Sequence, residues 1–466
     1  MVEVSGDALA SAEQRGQRIP SVMQIDWQTL QDLGILRSEG SQASLYDWAN
    51  FTSTPRGADL LREHFRRPSS DAEELRRTQG AVAWLTEHAL LFDPLLGRGA
   101  WTSVEHYLGS SITALDYPNR LVLWLDSWFT RYLHADLFRE VEATLALIQS
   151  LVRHAGELEE RIRSLQPPPL IAEWAGQLRT CIQAAELARI VSSRPVHRLR
   201  PPRVLSLDHA LRRTEFAPLR ELADLVYRID VLRSHALATR RHSLVLPEIL
   251  DGDTPFVEAA GLYHPLLDHP IANRLDISSD RQLIFLTGPN MAGKSTYLKA
   301  TGVAVFLAQM GMGVPARQFR LAPFTSLFSG IDTTDNLRLG QSYFYREVRR
   351  VRDAADLLAR GEQALVIFDE MFKGTNLKDA SDACLEVLSA FAACSGSAFL
   401  VASHLAELAA GLRTLHGIRF LHFAGEVNDE QVRFDYQLRE GVSEQRLGML
   451  ILERDGVLER LRRLRG

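Results

Sequence analysis

The run "FLTGPNMAGKSTYLKA", Phe285 to Ala300, constrains the fold more than any other stretch of this chain. An apolar segment, "QLIFLT", leads into Gly288; four residues follow, then Gly293-Lys294-Ser295, the spacing of a phosphate-binding loop. Such a loop requires a buried strand before it and a helix after it, and "STYLKATGVAVFLAQM" supplies the helix. The backbone of Gly288, Pro289, Asn290, Met291, Ala292 and Gly293, with the helix amino terminus from Lys294 to Thr296, can then surround the β- and γ-phosphates of a nucleotide. Lys294 adds a point charge and the Ser295 hydroxyl a ligand for Mg²⁺. A glycine turn with no ligand is the other reading, and the Lys-Ser pair in the required places argues against it.

Two further apolar runs follow the loop, "ALVIF" (Ala364 to Phe368) and "AFLVA" (Ala398 to Ala402), with helical stretches between them. Together with "LIFLT" they predict an α/β domain with buried parallel strands. The first run ends in Asp369 and Glu370. At the carboxyl end of a buried strand, Asp369 can hold the Mg²⁺ shell while Glu370 orients and deprotonates an attacking water. An acidic pair also suits a helix cap or an exposed turn. "AFLVASHLAEL" puts His404 just past the third strand, where it can meet a γ-phosphate or the water, or serve as a structural histidine.

The first half is different. From about Ser44 to Arg241 apolar residues recur at threes and fours, as Leu137, Val141, Leu145, Ile148 and Val152 do, and strand signals are nearly absent. Ser70, three residues before Glu73, has the capping-box spacing of a helix start. Prolines at 167–169 and 201–202 break the helical half into segments.

With 466 residues, 46% of them apolar, the chain can build two or three cores. Its net charge of −5 argues against wholesale electrostatic binding of nucleic acid and leaves room for a local basic surface. "RIVSSRPVHRLRPPRV" offers one, with Arg194, Arg198, Arg200 and Arg203. The bland alternative is a solvated connector. A second cluster, Arg346, Arg349, Arg350 and Arg352, reads as a helix face or subunit contact. Three scattered cysteines, Cys181, Cys384 and Cys394, suit neither a disulfide framework nor a zinc cluster and fit a reducing, cytoplasmic setting. The polar amino terminus lacks signal-peptide character, and no apolar run approaches the roughly 20 residues of a membrane helix, so no membrane partner is expected.

"TGPNMAGKSTYLKA" resembles the ATPase signature of the MutS family of DNA mismatch-repair proteins, in which Pro-Asn-Met inside the loop is distinctive. The likeness continues through "MGMGVPA", "IDTTDNLRLGQSYFYREV", "FDEMFKGTNLKDA" and "ASHLAEL", in the family's order. Upstream, "SLYDWANFTSTPRGADLLREHFRRPSSDAEELRR" is similar to the family's core domain, with a Thr-x-x-Gly turn at Thr54 to Gly57, and "EFAPLRELADLVYRIDVLRSHALATRRH" to its returning lever helix. The resemblance implies a multidomain chain: an N-terminal arm over 1–40, an all-α core and lever domain over 41–245, and an ABC-type P-loop ATPase domain over 246–466 ending in a dimerisation segment. It implies an Mg²⁺-dependent ATPase that binds ATP through Asn290, Gly293, Lys294, Ser295 and Thr296, with Asp369 and Glu370 handling metal and water and His404 sensing the γ-phosphate. Ser342 is implied to reach the partner's ATP in trans, hence a homodimer, and His422 to contact adenine, as "IAN" at 271–273 also fits.

Several positions depart from the family pattern. Pro270 stands where an aromatic residue is expected, Phe372-Lys373-Gly374-Thr375 where Gly-Arg-Gly-Thr is usual, and Tyr343 follows Ser342. The mismatch-recognition domain is expected to be missing, since few residues precede Ser41, and the stretch from Trp101 to Glu248 is expected to hold little of a clamp. The triplets "FRE" at Phe138 and "FVE" at Phe256 match the family's Phe-x-Glu wedge only by chance. The expected function is a nucleotide-driven dimeric switch that binds DNA in repair or recombination without mispair stacking. The alternative is an ATP-gated factor for a protein or ribonucleoprotein partner.

Overall fold

Residues 283–287, four apolar residues and Thr287, are buried at every position and form a strand with neighbours on both sides. In the computed structural model, which describes residues 22–36, 43–93, 100–109, 120–213, 216–252, 254, 256–331, 343–428, 431–443, 445 and 456–463, they sit inside a seven-stranded sheet. The strands in chain order are β1 (Gln24–Ile25), β2 (Glu248–Ile249), β3 (Phe256–Leu262), β4 (Asn273–Ile277), β5 (Leu283–Thr287), β6 (Gln318–Ala322), β7 (Ser326–Gly330), β8 (Ala364–Asp369), β9 (Ala398–Ala402), β10 (Ile418–Asn428) and β11 (Gln431–Glu440). The large sheet runs β1-β7-β8-β9-β5-β10-β11. All its pairings are parallel except the β10–β11 hairpin.

The three expected strands are therefore neighbours, with β9 between β8 and β5. Their near-continuous apolar runs follow from helices on the sheet faces, because a strand covered on both sides has no polar face to alternate with. Phe285, Phe399, Val366 and Phe368 join Leu388 and Phe391 of the helix Leu377–Ala393 in one core cluster. The second sheet, β2-β6-β3-β4, pairs β3 antiparallel with both neighbours. Neither this sheet nor the β10–β11 hairpin was expected from the sequence, since their strands mix exposed and buried positions.

The described residues divide into two compact units. One takes the residues up to Trp48, His64–Arg76 and those from Arg241 onward; the other takes Ala49–Glu63 and Arg77–Arg240. Residues 22–36 thus belong with the sheets, where an N-terminal arm was expected. β1 extends the large sheet at its edge, and Asp26 caps the helix Trp27–Asp32 by accepting from Thr29 N at 2.8 Å. Asp32 accepts from Ser329 Oγ at 2.6 Å and from Ile331 N at 2.9 Å, while Thr29 Oγ1 accepts from Ser329 N at 2.9 Å. Residues 64–76 also leave the helical segment to which the sequence assigned them. Gln309, fully buried, donates to Ser69 O at 2.9 Å and to Phe324 O at 2.8 Å.

The second unit is helical. Its longest helix, Ala135–Ser164, has 30 residues and runs about 45 Å. Phe138, Leu145, Ile148, Val152, Ala155 and Ile162 form its buried stripe, whereas Leu137 is exposed. Phe138 lies deep in this unit, and Phe256 opens β3 in the other unit. Pro169 and Pro201 each stand at the first position of a helix, where a missing N–H costs nothing. The helix Ala72–His88 is capped by Asp71, which accepts from Glu73 N at 2.8 Å and Glu74 N at 3.1 Å. The expected Ser70 cap is corrected by one residue, because the aspartate carboxylate reaches both donors.

Candidate functional site

The loop after β5 is set by two glycines in the left-handed region. Gly288 has φ +143°, and a Cβ there would lie 2.7 Å from Phe423 O. Gly293, φ +106°, precedes the helix Lys294–Gln309, and a Cβ there would meet the Tyr436 ring at 3.2 Å. Between them Met291 adopts φ +67° and is 82% exposed. Lys294 is 5% exposed; its Nζ donates to Gly288 O at 2.8 Å and Pro289 O at 3.2 Å. Burial pulls the Lys294 pKa down, opposed by the charges of Glu370 and Asp369.

β8 brings the acidic pair to this loop. Ser295 Oγ donates to Asp369 Oδ2, and Asp369 Oδ1 is buried with no hydrogen-bond partner. Burial raises the Asp369 pKa, partly offset by the Ser295 hydrogen bond. Glu370 has φ +56°, and its N–H donates to Ala402 O of β9 at 2.9 Å. Its carboxylate lies 3.5 Å from Lys294 Nζ, 3.1 Å from Lys373 Nζ and 3.7 Å from His404 Nδ1. Burial works against ionisation of Glu370, but Lys373, Lys294 and His404 together bring its pKa below the usual value.

Lys294, Ser295, Asp369, Glu370 and His404, separated by more than a hundred residues in sequence, therefore share one site. A cavity of about 710 Å³ opens beside them. Its lining includes Asn290, Gly293, Ser295, Glu370 and Lys373 together with Tyr263, His264, Pro270, Ile271, Phe423 and Tyr436. The size suits a small-molecule ligand with a flat ring and a charged end. Burial holds His264 neutral, with a pKa lowered to about 4.

His422 is not among the lining residues. Strand alternation turns it to the opposite face of β10 from Phe423, and its Nδ1 is buried without a hydrogen-bond partner. Asn273 does line the cavity, but its amide is engaged: Nδ2 donates to Tyr436 O at 3.0 Å and Oδ1 accepts from Leu438 N at 2.8 Å. Ser342 lies outside the described residues. Lys373, Tyr436 and Phe423 were not recognised as site residues from sequence, and only the departure at Lys373 drew attention to that position.

The donors fit a hard cation. Asp369 offers an unpartnered buried oxygen beside the Ser295 hydroxyl, and Mg²⁺ is commonly held by one or two protein oxygens with the rest of its shell from phosphate and water. No cluster of three or more His, Cys, Asp or Glu able to hold a metal occurs among the described residues.

The basic segment lies in the helical unit. Gln149, buried, donates to Ile190 O at 2.8 Å and Ser193 Oγ at 3.0 Å and accepts from Val196 N at 3.2 Å. This clamp leaves Arg194, Arg198, Arg200 and Arg203 exposed, and none makes an ion pair among the described residues. Arg350 behaves otherwise. It is 9% exposed, pairs with Asp26, donates to Ser329 O at 2.7 Å and covers the Phe328 ring at 3.7 Å. It anchors β1 and the helix Trp27–Asp32, so of that cluster it is a structural residue.

Among the described residues no helix is long and apolar enough to cross a membrane. Residues 284–461 match MutS domain V. The chain is 30% identical over 247 residues to the DNA mismatch repair protein MutS of Shouchella clausii, covering 52% of this chain and 28% of that protein. It is 30% identical over 249 residues to MutS of Streptococcus suis, 52% and 29% respectively. For MutS of Granulibacter bethesdensis the identity is 36% over 195 residues, 40% and 21%. The chain thus spans less than a third of the length of these relatives. By this domain and these relatives, with the loop and acidic pair assembled as described, the C-terminal part of the chain is similar to the ATPase-bearing domain V of MutS proteins, and the likeness covers about half of the chain.

Proposed function

We propose that the protein binds and hydrolyses ATP with Mg²⁺ and uses the cycle as a dimeric switch that grips DNA in repair or recombination. The observation that carries this reading is the convergence of Lys294, Ser295 and Glu370 on one cavity, with Asp369 bonded to Ser295. Lys294 holds phosphate charge, Ser295 and Asp369 hold the metal, and Glu370 takes a proton from water. Mg²⁺, when bound, neutralises charge on the phosphates as it builds in the transition state. The aromatic and apolar wall formed by Tyr263, Ile271, Phe423 and Tyr436 suits a purine ring. Ser342 of one protomer reaches the nucleotide of the other, and the clamped arginine loop takes DNA phosphates without reading sequence.

A second reading, a protein or ribonucleoprotein partner on the helical unit, draws on the helix Arg120–Leu133. Trp124, Leu125, Phe129 and Tyr132 on it are half or more exposed. Equilibrium binding of the purified protein to duplex, mismatched, branched and single-stranded DNA, with and without ATP across a salt series, separates the two. Nucleotide-dependent affinity for one DNA form is expected. Weak binding to all forms with intact ATP hydrolysis transfers the assignment to the second reading.

A further inference from the structure

Glu370 is met by two lysines and, at 3.7 Å, by His404 Nδ1. Lys294 Nζ lies 3.5 Å from Oε1 and Lys373 Nζ 3.1 Å from Oε2. Lys294 is buried inside the loop and bonded to its carbonyls, whereas the Lys373 side chain is 38% exposed and lines the cavity. On the functional reading above Lys294 turns to phosphate, which leaves Lys373, nearer at 3.1 Å than His404 at 3.7 Å, as the lysine that keeps the Glu370 carboxylate in place.

The backbone around Lys373 is itself fastened to another element. Glu347, 6% exposed on the helix Tyr343–Ala359, accepts from Lys373 N at 3.1 Å and Gly374 N at 3.2 Å. The Phe372 ring lies 6.0 Å from that of Phe344 on the same helix. Gly374 abuts the helix start so closely that a Cβ would fall 2.7 Å from Phe344 N. Glu370 and Phe372 both have positive φ, a conformation that persists only where neighbours enforce it. Contacts from one helix turn hold residues 372–374, while Glu370 itself is tied to β9 through its N–H to Ala402 O, and this helix directly follows the segment containing Ser342.

We propose that Lys373 is a positioning residue for Glu370, and that Glu347 sets its place from the helix that follows the Ser342 segment. A shift at the start of that helix is passed through Glu347 and Phe344 to residues 372–374, and from Lys373 to the carboxylate. The proposal rests on the ATPase reading.

The test compares Lys373→Met, Lys373→Arg and Glu347→Gln in the full chain, measuring steady-state ATP hydrolysis and the affinity of a fluorescent ATP analogue. Lys373→Met is expected to lower kcat by roughly 10- to 100-fold with analogue affinity changed by less than about 3-fold. Lys373→Arg, which keeps the charge, is expected to recover kcat to within about 3-fold of wild type. Glu347→Gln can accept only one of the two N–H groups and is expected to lower kcat with KM unchanged. Wild-type kcat in Lys373→Met, or an arginine variant no better than the methionine one, overturns the proposal. So does a loss of analogue affinity as large as the loss of kcat, which would make Lys373 a phosphate ligand. Unaltered circular-dichroism melts keep the comparison free of folding effects. A wild-type protein that turns over no ATP sinks the functional reading instead, before any variant is compared.

Discussion

Asp230 accepts hydrogen bonds from both the backbone nitrogen and the hydroxyl of Thr54, each at 2.8 Å, across 176 residues of chain. Its carboxylate also takes Ser53 N at 3.0 Å, and Thr54 Oγ1 in turn accepts from Gly57 N at 3.0 Å. The Thr-x-x-Gly turn seen in the sequence is thus one half of a buried knot whose other half lies on the helix Phe216–Arg241. A Cβ on Gly57 would lie 2.5 Å from Thr54 Oγ1 and 2.6 Å from Asp230 Oδ2. Gly57→Ala is expected to destabilise the protein by about 1–3 kcal/mol through overpacking. Asp230→Ala, which strands buried donors, is expected to cost about 3 kcal/mol. Thermal melts of the two variants check both values; wild-type melting of Gly57→Ala would refute the close packing.

The Asp26–Arg350 pair predicts a pH dependence. Burial raises the Asp26 pKa, but hydrogen bonding and charge from Arg350, with the Thr29 bonds, bring it below its ordinary 3.8. A carboxylate depressed in the folded state contributes stability above the unfolded value, lost as pH falls through the folded one. Asp26→Asn is therefore expected to be less stable than wild type by about 1–2 kcal/mol at neutral pH. The gap should close as pH drops below 3.8. Chemical denaturation at a series of pH values measures it, and a constant gap would contradict the assignment.

At the nucleotide site, Glu370→Gln is expected to retain ATP and reduce turnover by about 10²- to 10⁴-fold. Lys294→Ala is expected to abolish detectable nucleotide binding. Rapid-quench hydrolysis and equilibrium binding read these out; unchanged hydrolysis in the glutamine variant would remove Glu370 from the role of base.

Metal dependence follows from Asp369 and Ser295. Chelation is expected to stop hydrolysis, with recovery on adding Mg²⁺, and Asp369→Asn is expected to raise the Mg²⁺ concentration needed for half-maximal rate by about 10-fold or more. Titration of Mg²⁺ against rate provides the check, and equal requirements in variant and wild type would count against the ligand assignment.

For the arginine loop, replacing Arg194, Arg198, Arg200 or Arg203 by Ala is expected to weaken DNA binding about equally across sequences. Each loss should lower the slope of log affinity against log salt by about 1. A slope unmoved by all four substitutions together would place the DNA contacts elsewhere.

The sequence by itself determined whatever depends on local order. The strand and helix that flank Gly288 to Gly293, the acidic end of β8 and the helices of the first half are written in spacing, apolar runs and turn residues, although residues 64–76 pack with the sheets and the cap moves from Ser70 to Asp71. Tertiary structure decided what depends on partners distant along the chain. No local spacing states that β1 would complete a sheet beside β7, that Glu347 would fasten the loop after Glu370, or that Lys373 would face its carboxylate. Nor does it state which face of β10 the cavity would occupy: a strand shows opposite sides at successive residues, so register alone put Phe423 at the site and His422 on the other face.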